Sequence, residues 1–271
     1  MDKVVNLFMD SGAYSAWTRG SSIDIGEYIE FLQNRLPYLE AYFNLDVIGG
    51  ERGARRTAET LEYAANKSYE NLKLMKNEGL QPIPVFHQQE RWYHLERMIA
   101  EDNPYIALSP YEDISKPEQA AWFDKAFSML VDSEGVLKVK VHGLGVSGFS
   151  VLKKYPWTTT DATSYMLFAA YGFIWMPRRE RGEFQYNKPP LSIYVASPRE
   201  GKTNKSTAPY AYSKMKGLEK ALVEDYLKSV GSSIQECQES WESRVFVCIN
   251  YMLKFEATFE SPIYLPSRMI A

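Results

Sequence analysis

A single rhythm constrains this chain more than any other feature: a short apolar run, a few polar residues, then a stretch with helical periodicity, repeated along the first two thirds. The apolar runs are VVNLFMDSGAY (4–14), AYFNLDVIG (41–49), PIPVFHQQ (82–89), YIALSP (105–110), LKVKVHGLGV (137–146) and WTTTDATSY (157–165). Helical patterns lie between them, at 25–40, 56–79, 92–102 and 118–135, and two end on a glycine that reads as a C-cap, Gly79 and Gly135. Strands alternating with helices predict β-α units and a parallel sheet. A unit every 20 to 40 residues or so is the spacing of an α/β barrel.

Six such units precede residue 165, and a closed (β/α)8 barrel needs two more strands. FIWMP (173–177) and LSIYVAS (191–197) are available, but the segment joining them is polar and helix-poor and reads equally well as the loop of a β-hairpin. Two amphipathic helices follow, over 213–231 and 233–256. The expected fold is therefore α/β, a TIM-like (β/α)8 barrel with its closure left open. It forms a single domain over 1–271, with the barrel core at 1–200 and a C-terminal helical part at 201–271.

With 271 residues, 45% hydrophobic and 24% charged, the chain is globular. The two cysteines, Cys237 and Cys248, are spaced as neither a disulfide framework nor a zinc knuckle, which reads as a reduced, cytoplasmic setting. The N-terminal apolar run is too short for a signal peptide, and no stretch has the length of a membrane span. The net charge of −3 excludes a uniformly basic nucleic-acid binder. The charge is uneven, however. Between residues 178 and 220 ten Lys/Arg face four Glu, a local +6 that leaves −9 on the remainder. Such a segment is either a phosphate-binding face or a solvated surface.

In barrels the C-terminal ends of the strands carry the site. Those ends offer Asp10-Ser11-Gly12, Asp46, His87-Gln88, Ser109, His142-Gly143-Leu144-Gly145 and Asp161. Three aspartates end three different apolar runs, where a carboxylate is costly without a task. The plainer alternative is that each caps the helix that follows it.

These residues resemble the tRNA-guanine transglycosylase family. MDSGAY (9–14) is similar to its DSGG-aromatic motif, NLDV (44–47) to its next strand ending in aspartate, and VFHQQ (85–89) to its V-Q-G strand. YIALSP (105–110) is similar to the strand that binds substrate through backbone groups. HGLGVSG (142–148) resembles its L-M-G-V-G strand, and TTTDATSY (158–165) falls where it carries the nucleophilic aspartate. The order is the same throughout residues 4–165. SGAYSAW and YPWTTTDATS look most like the phage and genomic-island relatives that put 7-deazaguanines into DNA. The family's zinc-binding cysteine cluster, the arginine after the nucleophile and two N-terminal strands have no counterpart.

The resemblance implies exchange of guanine for a 7-deazaguanine in a polynucleotide, DNA ahead of RNA, without cofactor, metal or membrane. Asp161 would attack the sugar C1′, with Thr158, Thr159, Thr160 and Thr163 donating to it; its alternative is an N-cap. Asp10 would move the proton, with Gly12 allowing close approach and Ser11 beside it. Asp46 would read guanine N1–H and N2–H₂. Tyr14 and Leu144 would cover the two faces of the base, Tyr14 alternatively being core, while Gln88, Ser109, Gly143 and Gly145 would line its edge. His87 and His142 are auxiliary: metal ligands with Asp46 and Asp161, a phosphate contact, or a brace for a carboxylate. His94 reads as structural. Arg178, Arg179 and Arg181 would hold the polynucleotide, aided by Phe184, Tyr186, Tyr194, Tyr210 and Tyr212. The rival readings are a tRNA-acting enzyme, a metal-dependent barrel hydrolase and a non-catalytic nucleic-acid-binding barrel.

Overall fold

A computed structural model describes residues 7–50, 54–197 and 210–265. The chain forms two compact units, one of residues 1–161 and 261–271, the other of residues 162–260. The expected division at residue 200 falls outside the described residues.

The first unit alternates strands and helices: β1 (Leu7–Met9), α1 (Ala13–Arg19), α2 (Ile25–Gln33), β2 (Leu39–Tyr42), α3 (Ala58–Asn77), β3 (Val85–His87), α4 (Trp92–Ala100), β4 (Tyr105–Ser109), α5 (Lys116–Leu130), β5 (Lys140–Gly143), α6 (Phe149–Lys154) and β6 (Thr159–Thr160). β1 pairs parallel with β2, and β3 through β6 pair parallel in sequence order. A parallel bridge from Phe43 to Ile83 joins the two sets. All six strands thus run one way, and their C-terminal ends lie along one edge.

This sheet curls. Phe8 on β1 sits 6.2 Å, ring to ring, from Tyr105 on β4 and 6.0 Å from His142 on β5. Four strand spacings in a flat sheet would separate β1 from β5 by about 19 Å. Phe43, Ile83, Val85 and Ala107, with Phe8, Tyr105 and Leu144 against them, fill the concave side. Outside, α2 lays Tyr28, Ile29 and Leu32 on Leu39, Tyr42, Met75 and Leu80. Each fully buried aliphatic or aromatic side chain contributes about 1.5–3 kcal/mol.

Local chemistry explains the boundaries. Thr57 and Thr60 form a capping box at the start of α3, and Gly79 (φ 80°) ends that helix in the left-handed conformation. Gly135 is not a C-cap: α5 stops at Leu130, and Gly135 (φ 80°) lies in a turn whose N–H groups at Glu134 and Val136 bond to the Asp132 carboxylate. A Cβ on Gly135 would stand 2.6 Å from the Tyr264 carbonyl oxygen, so the position is closed to other residues.

The second unit begins with α7 (Ser164–Ala170) and β7 (Phe173–Met176), continues through β8 (Arg178–Glu180), β9 (Glu183–Gln185) and β10 (Leu191–Tyr194), and ends with α8 (Gly217–Ser229), α9 (Ile234–Glu239) and α10 (Trp241–Ala257). β7 and β10 pair with each other antiparallel, and β8 and β9 form a hairpin between them. Of the two readings of 173–197, the hairpin is the one adopted. The single helix expected over 233–256 is two, because Ser240 ends α9 and its side chain caps α10. Arg244 is buried and donates to the carbonyls of Ala169 and Cys237, satisfying the free ends of α7 and α9. Ile174, Ile193, Val223, Tyr226, Leu227 and Val247 form this unit's core. Among the described residues no helix is long and apolar enough to cross a membrane.

Candidate active site

The three aspartates end β1, the segment after β2, and β6, and none of them caps a helix. The N-caps of α1, α3 and α7 are Gly12, Thr57 and Thr163. The capping alternative is thereby removed for Asp10, Asp46 and Asp161. Their charges act on one another instead: both Asp46 and Asp161 raise the pKa of Asp10.

Asp46 is buried and gripped from two strands. Ser11 Oγ donates to its Oδ1 at 3.2 Å, and His87 Nε2 meets its Oδ2 at 2.7 Å. Burial works against a charge on His87, yet the Asp46 carboxylate outweighs it and raises the imidazole above its ordinary value. Ser11 also accepts from the Ala13 N–H at 3.2 Å, which ties the turn after β1 to the start of α1.

Asp161 is held on one oxygen. The Gly145 N–H donates to Oδ1 at 2.7 Å, and His142 Nε2 lies 3.5 Å from that same atom. Partial burial raises this carboxyl, but the His142 and Gly145 donors overcome it and hold Asp161 below the usual carboxylate range. The side chain is 59% exposed. Thr158 and Thr159 are engaged elsewhere: Thr158 Oγ accepts from Val141 N–H, and Thr159 Oγ sits 2.7 Å from His142 Nδ1. Gly145 can turn its N–H to Asp161 because it adopts φ 67°.

Among the described residues no histidine pairs with Asp10. Backbone N–H groups of Ser11 and Gly12 approach it, but burial and then Asp46 raise its pKa. Two of the three carboxylates, Asp10 and Asp161, are thus shifted in opposite directions, Asp10 up and Asp161 down. Environments that push like groups apart in this way mark acid and base roles.

The remaining expected residues divide. Gly143 is buried, and a Cβ there would lie 2.9 Å from both Trp157 and Val146. Leu144 packs on the concave core. Gln88 is buried with its amide oxygen accepting from Tyr111 N–H, while the Ser109 carbonyl accepts from Gln88 N–H, so both brace β3 against β4. Tyr14 is not core: it is 52% exposed and tilts against Trp17 at 5.9 Å. His94 is buried on α4 beside Glu62 at 3.4 Å. Among the described residues no group of three or more His, Cys, Asp or Glu is arranged to hold a metal ion.

Arg178, Arg179 and Arg181 are exposed on the β8–β9 hairpin, with Arg181 at its tip (φ 51°). Arg179 pairs with Asp225 at 3.6 Å. The aromatic residues nearby serve mainly to pack the second unit, Phe184 on Tyr226 and Tyr186 on Tyr251. Arg199, Lys202 and Lys205 lie outside the described residues.

Several neighbours had no sequence signal. Glu90 is buried, and burial raises its carboxyl to about 7. Tyr111 stacks on His87 at 6.0 Å, and Arg56 covers Tyr111 at 3.6 Å while forking to Asp113. Tyr111 and Arg56 lie more than twenty residues along the chain from His87, whereas Glu90 follows it by three.

Comparison with protein-family models, with curated proteins and with solved structures finds no match.

Proposed function

We propose that the chain exchanges guanine in a polynucleotide for a 7-deazaguanine through a covalent glycosyl-aspartate. The observation that carries the reading is three aspartates at one sheet edge, of which Asp10 is shifted up and Asp161 down, together with the motif order that resembles the transglycosylases. The Gly145 N–H bonds to Asp161 Oδ1 and His142 Nε2 faces that same oxygen from 3.5 Å, so Oδ2 is the oxygen that attacks C1′. As the C1′–O bond forms, the C1′–N9 bond breaks and its electron pair leaves with guanine, which takes a proton from Asp10. The ester carbonyl that forms at Oδ1 keeps the Gly145 N–H. The incoming base then gives its N9 proton to Asp10, attacks C1′ from the opposite face and expels Asp161 as carboxylate. Two inversions retain the configuration.

Asp46 presents acceptors to guanine N1–H and N2–H₂ while Ser11 and His87 keep it aligned. Adenine has no such donor pair, so the site rejects it. The target nucleotide must be unpaired or flipped out for C1′ to be reached. The resemblance favours DNA over RNA, and the free buried cysteines suit a reduced, cytoplasmic setting. The fold that goes with this reading is a TIM-like barrel, supported by six consecutive parallel strands and by the curl that brings Phe8 to His142.

The direct test is trapping. Protein incubated with guanine-containing DNA or RNA and then denatured should retain nucleic acid, and Asp161→Ala should not. Adduct formation by Asp161→Ala would remove the assignment. Nucleoside mass spectrometry of both nucleic acids, after incubation with a 7-deazaguanine, identifies the substrate.

A further inference from the structure

Behind Asp161 runs a line of polar groups that enters the concave core of the sheet. His142 is 3% exposed. Its Nε2 lies 3.5 Å from Asp161 Oδ1, and its Nδ1 lies 2.7 Å from Thr159 Oγ1. Thr159 Oγ1 in turn meets the Tyr105 hydroxyl at 2.5 Å. The rings of Phe43 and Phe8 lie near the imidazole, with centroids at 4.9 and 6.0 Å. The charged group that faces His142 at close range is Asp161. A buried histidine among rings and hydroxyls is expensive to place unless both nitrogens have work.

We infer that Tyr105, Thr159 and His142 form a positioning relay for Asp161, which fixes the proton on His142 Nε2 so that Oδ1 is held and Oδ2 is presented to the substrate. The inference rests on the transglycosylase reading for its consequence in catalysis, but not for the relay itself. One ordering of protons accounts for the whole line: Tyr105 O–H donates to Thr159 Oγ and Thr159 O–H donates to His142 Nδ1, which leaves the proton on Nε2, a buried atom with no hydrogen-bond partner that faces Asp161 Oδ1 from 3.5 Å. The opposite tautomer turns the Nδ1 proton toward Thr159 and leaves Asp161 facing a bare nitrogen lone pair, which repels a carboxylate. None of the three touches the reacting atoms. They act through Asp161, as an orienting group does through a catalytic partner.

The chain has three histidines, so ring ¹⁵N resonances can be assigned by single substitutions. In the wild type His142 should be in the Nε2–H form. Thr159→Val keeps the shape and removes the donor, so the tautomer ratio should fall about tenfold, the weight of one hydrogen bond. The rate of adduct formation should fall by about the same factor, with the concentration dependence on polynucleotide unchanged. Tyr105→Phe should have a smaller effect in the same direction, and Thr159→Ser should restore both quantities. An Nδ1–H tautomer in the wild type, or a ratio unmoved by Thr159→Val, overturns the relay. If the wild type forms no adduct while the tautomer responds as stated, the relay stands and the transglycosylase reading fails.

Discussion

Glu90 shows what the neighbourhood of the site costs the fold. Its carboxyl is buried beside His87 and binds its proton up to about pH 7, where a glutamate in an unfolded chain loses it near 4.5. Between those values the folded state holds a proton that the unfolded state has released, so stability falls as pH rises. Above about 7 the loss is complete, and it amounts to at most about 3 kcal/mol. Glu90→Gln removes this dependence. We expect the variant to match the wild type near pH 4.5 and to melt at a higher temperature above pH 7, with the gap opening between. Thermal unfolding across that range measures it, and parallel curves would mean that Glu90 ionises freely in the folded protein. His87 shifts in the same sense, since its pKa is also raised, so some decline with pH should persist in the variant.

At the scale of elements, the β8–β9 hairpin offers the sharpest case. Arg181 and Gly182 form its two-residue turn, both with positive φ, and Arg178 is exposed on the first strand. Arg179 already has Asp225, so Arg178 and Arg181 are the better phosphate ligands. If the hairpin binds the polynucleotide backbone, replacing both by Gln should weaken binding to duplex DNA. The log–log salt slope should become shallower by about two, at roughly 0.9 per phosphate contact. Uptake of free guanine should not change, because phosphate contacts do not read bases. Identical affinities at every salt concentration would leave the hairpin as a solvated edge.

Elements of this kind also mark what the sequence reveals and what it hides. β3, β4 and β5 are legible because parallel strands buried on both faces must be apolar runs, as in YIALSP. Asp10, Asp46 and Asp161 are legible because each interrupts such a run at its end. The pairing of β7 with β10 is not, since FIWM and LSIY are equally good parallel or antiparallel strands. Ser240 reads as one more polar residue in a helix until its side chain is seen capping Ser243 N–H. The partners of the aspartates are hidden for a different reason. His87 reaches Asp46, and Gly145 reaches Asp161, only because neighbouring strands lie side by side, and no local pattern records which strands those are.

At the scale of the whole molecule, a continuous unit is inserted into a discontinuous one. The chain leaves the first unit after Asp161 and returns to it at Ser261. Tyr264 completes the first unit: it is buried, its hydroxyl donates to Asp124 Oδ1 at 2.9 Å, and its ring meets Tyr155 at 5.3 Å and Phe127 at 5.9 Å. Its backbone N–H bonds to the Gly135 carbonyl. Removing a buried aromatic side chain costs about 3–5 kcal/mol. We expect Tyr264→Ala to lower the urea midpoint seen by tryptophans of the first unit, and to do so although it lies far along the chain from every residue of the site. An unchanged midpoint would mean that the returning segment is only laid on the surface.

That return sets an order of events during synthesis. The strands that carry Asp10, Asp46 and Asp161 leave the ribosome first, yet the aromatic plug that closes their unit is made about a hundred residues later, at five to twenty residues per second. For several seconds at the least, the nascent chain holds the edge that bears the three aspartates on an unsealed scaffold while the inserted unit is still being translated. Chaperones near the ribosome therefore meet a unit whose first-made strands are completed only after the inserted unit has been made.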